Sequence, residues 1–525
     1  MKKMRILYIL HESVFGGATK SFLDFIDYAL SFINPIIVIP SEGPVTDILK
    51  KKGYKVFVIP FLKDFIPLNE NGNVKLLMND NIQAAKKIVR IIAKEKIELI
   101  HTNSSVANVG ALASCYANIP HVWHFRELVE RQFDYKYYDN SIKKRIVDCS
   151  DLVIAISECV RKEIDNRFQL KSSQLYNAVT IESEHLNTIE ERMLNEFIFI
   201  GYISKNKGQC DAVRAVNELV SNGVDVKVYL VGAGNYRSQW AINKYIKYKG
   251  LNNNIIIIGF TENLQALRNR CRFAIIGSEY EALGRVTIEA MLSGNIPIGV
   301  NSAGTKEIIG EHQENGYLYE FGDYIQLARI MKNLTSMSLS EYKKVSHENY
   351  CYARKKFSVE NYTKQLIDLY SYVVTHKENK VEQKRQLVKY LYNYSNIDCV
   401  SSNVEANGKN DVMEAGNKDF KENVLSYLNR QKVHYVAIYG MSKFGCDLYD
   451  VLEEHGYEIT NIFDKQPDIM ESLLPYIHLS DELDEKTEVI IVTLKNEEDK
   501  VISELRNYYS VPIIGRSILQ KDIHI

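Results

Sequence analysis

CRFAIIGSEYEALGRVTIEAM, residues 271–291, reads as a strand, a loop and a helix in that order. The apolar run up to Ile276 suits a strand, Gly284 suits a backbone that a ligand must approach closely, and Gly294 marks the helix end. The spacing predicts a helix from about Gly284 to Ser293. Its start is an anion site, because free amides and the helix dipole both favour a phosphate there. Two glutamates, Glu281 and Glu289, flank that start. A first-turn carboxylate that merely complements the dipole accounts for Glu281, and an exposed helix residue accounts for Glu289, unless the surroundings say otherwise.

The surroundings repeat the pattern. Short Ile/Val runs alternate with amphipathic stretches: 5–10, 35–40, 55–60, 97–102 and 151–157, then a second series at 197–204, 226–232, 254–260, 273–278 and 296–300. Apolar runs without alternation are strands buried on both faces, and strands separated by helices make parallel α/β sheets. The expected fold class is therefore α/β, with two doubly wound Rossmann-like domains facing a cleft. The expected boundaries are 1–190 and 191–375, with helix 358–374 packing back and a polar break near 182–195. Residues 376–430 read as a polar helix and linker containing SSNVEANGKND (401–411). A third, smaller Rossmann-like domain is expected over 431–525, with strands in 434–440, 458–464, 488–494 and 511–515.

The chain has 525 residues, which suits about three domains. A net charge of -1 gives no whole-chain basic surface for nucleic acid. The eight cysteines form no C-x-x-C pair, as expected of reduced thiols in the cytoplasm. The apolar run after Lys2 and Lys3 breaks at His11-Glu12, so a first strand fits it better than a signal peptide. The expected location is the cytoplasm, with a peripheral contact at the inner face of the membrane allowed.

Four glycine loops follow strands at their carboxyl ends, where ligands bind in open α/β sheets. They are HESVFGGATKSF (11–22) with Gly16 and Gly17, KNKGQ (205–209) with Lys205 and Lys207, the Gly284 loop, and AGTKEII (303–309). Ordered in this way, with E-x7-E and LVGAGNYRSQW (230–240), the sequence resembles the retaining glycosyltransferases of family 4, the glycosyl transferases group 1, of GT-B fold. The resemblance covers roughly 4–375 and is strongest over 197–310. IELIHTNSS (97–105), PHVWHFRE (120–127), DLVIAISECV (151–160) and LYNAV (175–179) carry it into the N-terminal half, with Asn177 at the usual asparagine.

The resemblance implies transfer of a hexose from a UDP- or GDP-sugar, with retention, to a hydroxyl of a glycan, lipid-linked or protein-linked acceptor. It implies no cofactor and no metal, and no Asp-x-Asp triplet occurs in the sequence. In this family pattern Glu281 binds hydroxyls of the donor hexose and Glu289 the ribose. The backbone of Ala282, Leu283, Gly284 and Arg285 holds the diphosphate. Lys207 neutralises the leaving group, and His124, in what reads as a loop, is the active-site histidine. His101 is expected to be structural. An arginine common after the strand glycine is Tyr202 here, so Lys205 or Arg285 is left to supply that phosphate contact.

Two rivals remain: a non-catalytic subunit binding a protein partner through 376–525, and an epimerase or phosphorylase on the same fold. In the third domain Gly440 and Gly445 form G-x4-G, and Asp464 lies 24 residues beyond Gly440. That suits a Rossmann-like turn more than a cofactor site, and the domain reads as a structural or protein-contact module. The Tyr439–Lys443 spacing falls inside this turn and carries no dehydrogenase chemistry.

Overall fold

The computed structural model describes residues 3–181, 192–261, 263–376, 380–395, 415–464, 473–474, 482–494 and 497–515. The polar break is outside the described residues over 182–191, and so is the 401–411 linker stretch. Contacts group the chain into two compact units, 1–198 with 263–401 and 199–262 with 402–525.

In the first unit seven strands form one sheet in the order Lys55–Val58, Ile33–Ile39, Met4–Ile9, Leu99–Thr102, His121–Phe125, Leu152–Ala155, Ser173–Gln174. Every pairing is parallel. The continuous Ile/Val runs are explained by burial on both faces. One face packs on helices Val74–Glu95 and Val109–Ala117 through residues such as Ile88, Ile92, Ala111 and Leu112. The other packs on Phe22, Phe25 and Ile26 of helix Gly17–Ala29.

Helix Val359–Thr375 covers that second face with Tyr362, Leu366 and Tyr370. Its Tyr370 hydroxyl bonds to Tyr8 at 3.0 Å and to His101 Nδ1 at 2.7 Å. Helix Val381–Ser395 also packs onto this unit. Leu387 and Leu391 enter its core, and buried Lys384 pairs with Asp151 at 2.8 Å. The same unit holds the parallel strands Cys271–Ile276, Ile296–Val300 and Tyr317–Tyr319. The last, three residues long, has no run strong enough to stand out in the sequence.

In the second unit, strands Lys227–Val231 and Ile255–Ile258 pair in parallel. A separate four-stranded parallel sheet runs Glu458–Phe463, Tyr435–Tyr439, Val489–Val492, Ile513–Gly515. Helix Lys443–Glu454 follows its Gly440 turn. No described helix is long and apolar enough to cross a membrane.

Candidate active site

The helix after Ile276 spans Arg285–Leu292, with Gly284 as its N-cap at φ 83°. A left-handed backbone here favours glycine, since any Cβ adds strain. Among the described residues, the amides of Ala282, Leu283, Gly284 and Arg285 donate to nothing in the protein. The loop's carbonyls, by contrast, are tied down. Glu281 O accepts from the Gly304 amide at 2.8 Å. Ala282 O accepts from the Ser157 hydroxyl, and Glu279 O from that of Ser302. A Cβ on Gly304 would lie 2.6 Å from Leu283 Cα, so only glycine lets its helix dock this closely. The AGTKEII glycine thus serves the loop rather than a ligand. Fixed carbonyls and free amides leave a preorganised donor set at a helix N-terminus.

These residues form one side of a cavity of about 420 Å³. Glu281, Ala282, Leu283, Gly284 and Arg285 line it, together with Gly16 and Gly17 from the first glycine turn. Gly16 caps helix Gly17–Ala29, and a Cβ there would meet Glu12 Oε1 at 2.4 Å. Phe65, Val106, Val129 and Tyr135 give much of the remaining wall its apolar character.

Glu289 is not an exposed helix residue. It is 7% exposed and accepts from Arg268 and, at 2.9 Å, from Arg285 Nε. Burial alone would raise its pKa, but Arg268, Arg285 and Lys20 together hold it below the usual carboxylate value. Arg285 also pairs with Asp24 at 2.6 Å, so its charge is already matched by two carboxylates. That makes Arg285 a poor substitute for the phosphate contact missing at Tyr202, itself 52% exposed. Lys205 and Lys207 lie in a 3-10 turn of the second unit.

His124 is placed otherwise than expected. PHVWHFRE is no loop: His121–Phe125 is an interior strand, and His124 pairs in register with Ile154. Its ring is wholly buried and does not line the cavity. Nδ1 accepts from Arg126 Nη2 at 3.2 Å, and burial, Arg126 and His101 keep the imidazole neutral. The residue that reaches the cavity from this strand is Arg126, one position past its end. The sequence signal for it was a charged Arg-Glu pair directly after a buried strand. Asn177 also lines the cavity, where its Oδ1 accepts from Arg126 Nη1.

The chain also matches known proteins in family and fold. The model of glycosyltransferase family 4 matches residues 47–183, and that of glycosyl transferases group 1 matches 183–352. The chain belongs to the group 1 glycosyltransferases of GT-B fold. A capsular polysaccharide biosynthesis glycosyltransferase of Staphylococcus aureus, CapM, is 24% identical over 371 residues, 65% of this chain and 96% of its own. Anabaena HepE in complex with UDP superposes with a TM-score of 0.57 at 21% identity, covering 70% of this chain and all of that one. A Rickettsia africae glycosyltransferase gives 0.59 at 20% identity, with 72% of this chain and all of that one covered. Like these, the group 1 chain carries two Rossmann-like domains, and it is a transferase. Both family models end by residue 352, so neither reaches the stretch 431–525.

The Gly440 turn in that segment is closed. Gly440 has φ 95°, and Gly445 approaches so closely that a Cβ on it would lie 2.1 Å from Gly440 O. Asp464 accepts from the Met441 amide at 2.6 Å and pairs with Arg237 at 3.2 Å. Its two oxygens thus tie the turn amide and the Arg237 guanidinium together.

Proposed function

We propose that the protein is a retaining hexosyltransferase that uses a UDP- or GDP-sugar and builds a surface polysaccharide or related glycoconjugate. The observation that carries this reading is the row of unpartnered amides at 282–285, set between Glu281 and Glu289. A nucleotide sugar has a sugar on each side of its diphosphate. One carboxylate on each side of an anion-binding helix start complements it. Glu281 accepts from hexose hydroxyls, and Glu289, oriented by Arg268 and Arg285, accepts from the ribose. Charge-assisted bonds of this kind contribute about 1.5–3 kcal/mol each.

The amides stabilise the negative charge that grows on the diphosphate as the glycosidic bond breaks, so the reading requires no metal. The acceptor hydroxyl attacks from the face the leaving group departs, and its proton passes to the departing phosphate oxygen. His124 acts behind Arg126 as a positioning residue. Lys205 and Lys207 neutralise the leaving group, a role that rests on the family resemblance. The capsular role named for the Staphylococcus aureus relative supports a glycan, lipid-linked or protein-linked acceptor. A location at the inner face of the membrane fits such an acceptor.

Incubation of the protein with a panel of nucleotide sugars and candidate acceptors tests the reading. Nucleoside diphosphate should accumulate only when donor and acceptor are both present, with the anomeric configuration kept. Interconversion of donor sugars without an acceptor would establish an epimerase instead.

A further inference from the structure

We infer that Arg126 binds an anionic oxygen group, a phosphate or carboxylate, of a substrate in the cavity; this rests on the transferase reading above.

The argument is one of charge. Arg126 is 5% exposed and lines the cavity. Each of its side-chain partners is an uncharged acceptor: Asn177 Oδ1, Asn103 Oδ1 at 2.9 Å, His124 Nδ1 at 3.2 Å and the Tyr362 hydroxyl at 3.4 Å. Nε donates to nothing among the described residues. The neighbouring Glu127 also lines the cavity and accepts from the Arg126 backbone amide at 3.2 Å, but among the described residues it makes no ion pair with the guanidinium. Its carboxylate accepts from the Ser104 hydroxyl at 2.6 Å and from Ser105 Oγ at 2.7 Å and N at 3.0 Å.

Three other buried cations of this unit have a carboxylate partner: Lys143 pairs with Asp64, Arg268 with Glu289, and Lys384 with Asp151. Arg272, 8% exposed, instead donates to Arg192 O at 3.1 Å, lies over the Tyr342 ring and does not line the cavity. The other cations of the cavity wall are matched too, Lys63 by Glu12 and Arg285 by Asp24 and Glu289. A desolvated guanidinium without a counter-ion is costly, and four neutral partners fix its plane without discharging it. Arg126, unlike Arg272, lines the cavity, so its missing charge is one that a ligand can bring. Two sources fit: the diphosphate of the donor, or an acid group on the acceptor.

The test titrates wild type, Arg126→Gln and Arg126→Lys with UDP, GDP, uridine and guanosine. Inorganic phosphate and malonate are then titrated both without nucleoside diphosphate and with it in excess. Arg126→Gln should lose tenfold or more in affinity for at least one anionic probe. Arg126→Lys should recover part of that loss, and uridine and guanosine should bind the variants as they bind wild type. A loss for UDP or GDP assigns the donor phosphate, and a loss confined to phosphate or malonate assigns the acceptor. Wild-type protein with isotope-labelled arginine provides a readout that no folding defect can mimic. The Arg126 Nε–H resonance, assigned by its absence from Arg126→Lys, should move with the anions and stay with the nucleosides. Unchanged affinities for every anion, or a resonance that none of them moves, overturns the inference. Wild type that binds neither UDP nor GDP sinks the transferase reading instead, while the phosphate and malonate shifts still decide Arg126.

Discussion

Two glycine turns in this chain share a local pattern and have opposite fates. Each follows a buried Ile/Val strand, each holds a glycine with positive φ, and each opens a helix. At Gly284 the amides are free, and the nearby carboxylate, Glu289, lies behind them with Arg268 and Arg285. At Gly440 a carboxylate sits on the turn: Asp464 takes the Met441 amide, and the Thr493 hydroxyl takes Gly440 O. On the function proposed above the first turn receives an anion from a ligand, whereas the second supplies its own. What separates them is which distant side chain folds onto the amides, and no local motif records that.

The largest effect on this contrast comes from Glu289→Gln. It leaves Arg268 and Arg285 around a neutral amide, and breaking a buried pair costs about 3–5 kcal/mol. A lower melting temperature and weaker nucleotide binding are both expected. The same carboxylate has a pH signature. Its folded pKa is below the usual value of 4.5, so its contribution is complete above that value and is lost as pH falls through the lower folded one. Wild type should therefore lose stability below about pH 4.5 more steeply than Glu289→Gln, as thermal melts across that range will show.

Glu281→Gln comes next. It should reduce sugar transfer by about a hundredfold while nucleoside diphosphate affinity stays near that of wild type. A matched loss in both would move Glu281 from the hexose to a hydroxyl or N–H donor of the nucleoside. Gly284→Ala forces a Cβ into a left-handed position, 3.2 Å from Thr287 Oγ1 and 3.3 Å from Thr305 Oγ1. The strain is about 1–2 kcal/mol, and diphosphate affinity should fall with it. Gly440→Ala, at φ 95°, should cost similar stability and leave that affinity untouched. The smallest change is Asp464→Asn. It keeps an acceptor for Met441 and gives up the Arg237 pair, which should lower the melting temperature and leave nucleotide binding unchanged in titrations.

Much of the fold was legible because strands buried on both faces write unbroken Ile/Val runs. His121–Phe125 escaped because HVWHF carries Trp and His in place of Ile and Val, and His121 and Trp123 find hydrogen-bond partners in the interior. The Trp123 indole, for example, donates to Ser104 O at 2.8 Å. For the same reason His124 read as a loop residue facing a ligand. At the candidate site, strand–glycine–helix order marked Gly284 and the Gly16–Gly17 turn, while Glu281 was singled out as a ligand-binding residue only by the family resemblance. Arg126 was not legible, since its isolation depends on Asn103, Asn177 and Tyr362, which lie far away in sequence. Glu289 could be placed on the helix but not judged buried, because Arg268 reaches it from another element.

The central claim is that the free amides at Gly284 receive a diphosphate. Calorimetric titration of wild type and Gly284→Ala with UDP, GDP and the parent nucleosides addresses it most directly. One nucleoside diphosphate should bind wild type at least tenfold more tightly than its nucleoside, and Gly284→Ala should erase most of that difference. A nucleoside that binds as tightly as its diphosphate, or an advantage that survives intact in Gly284→Ala, would contradict the account.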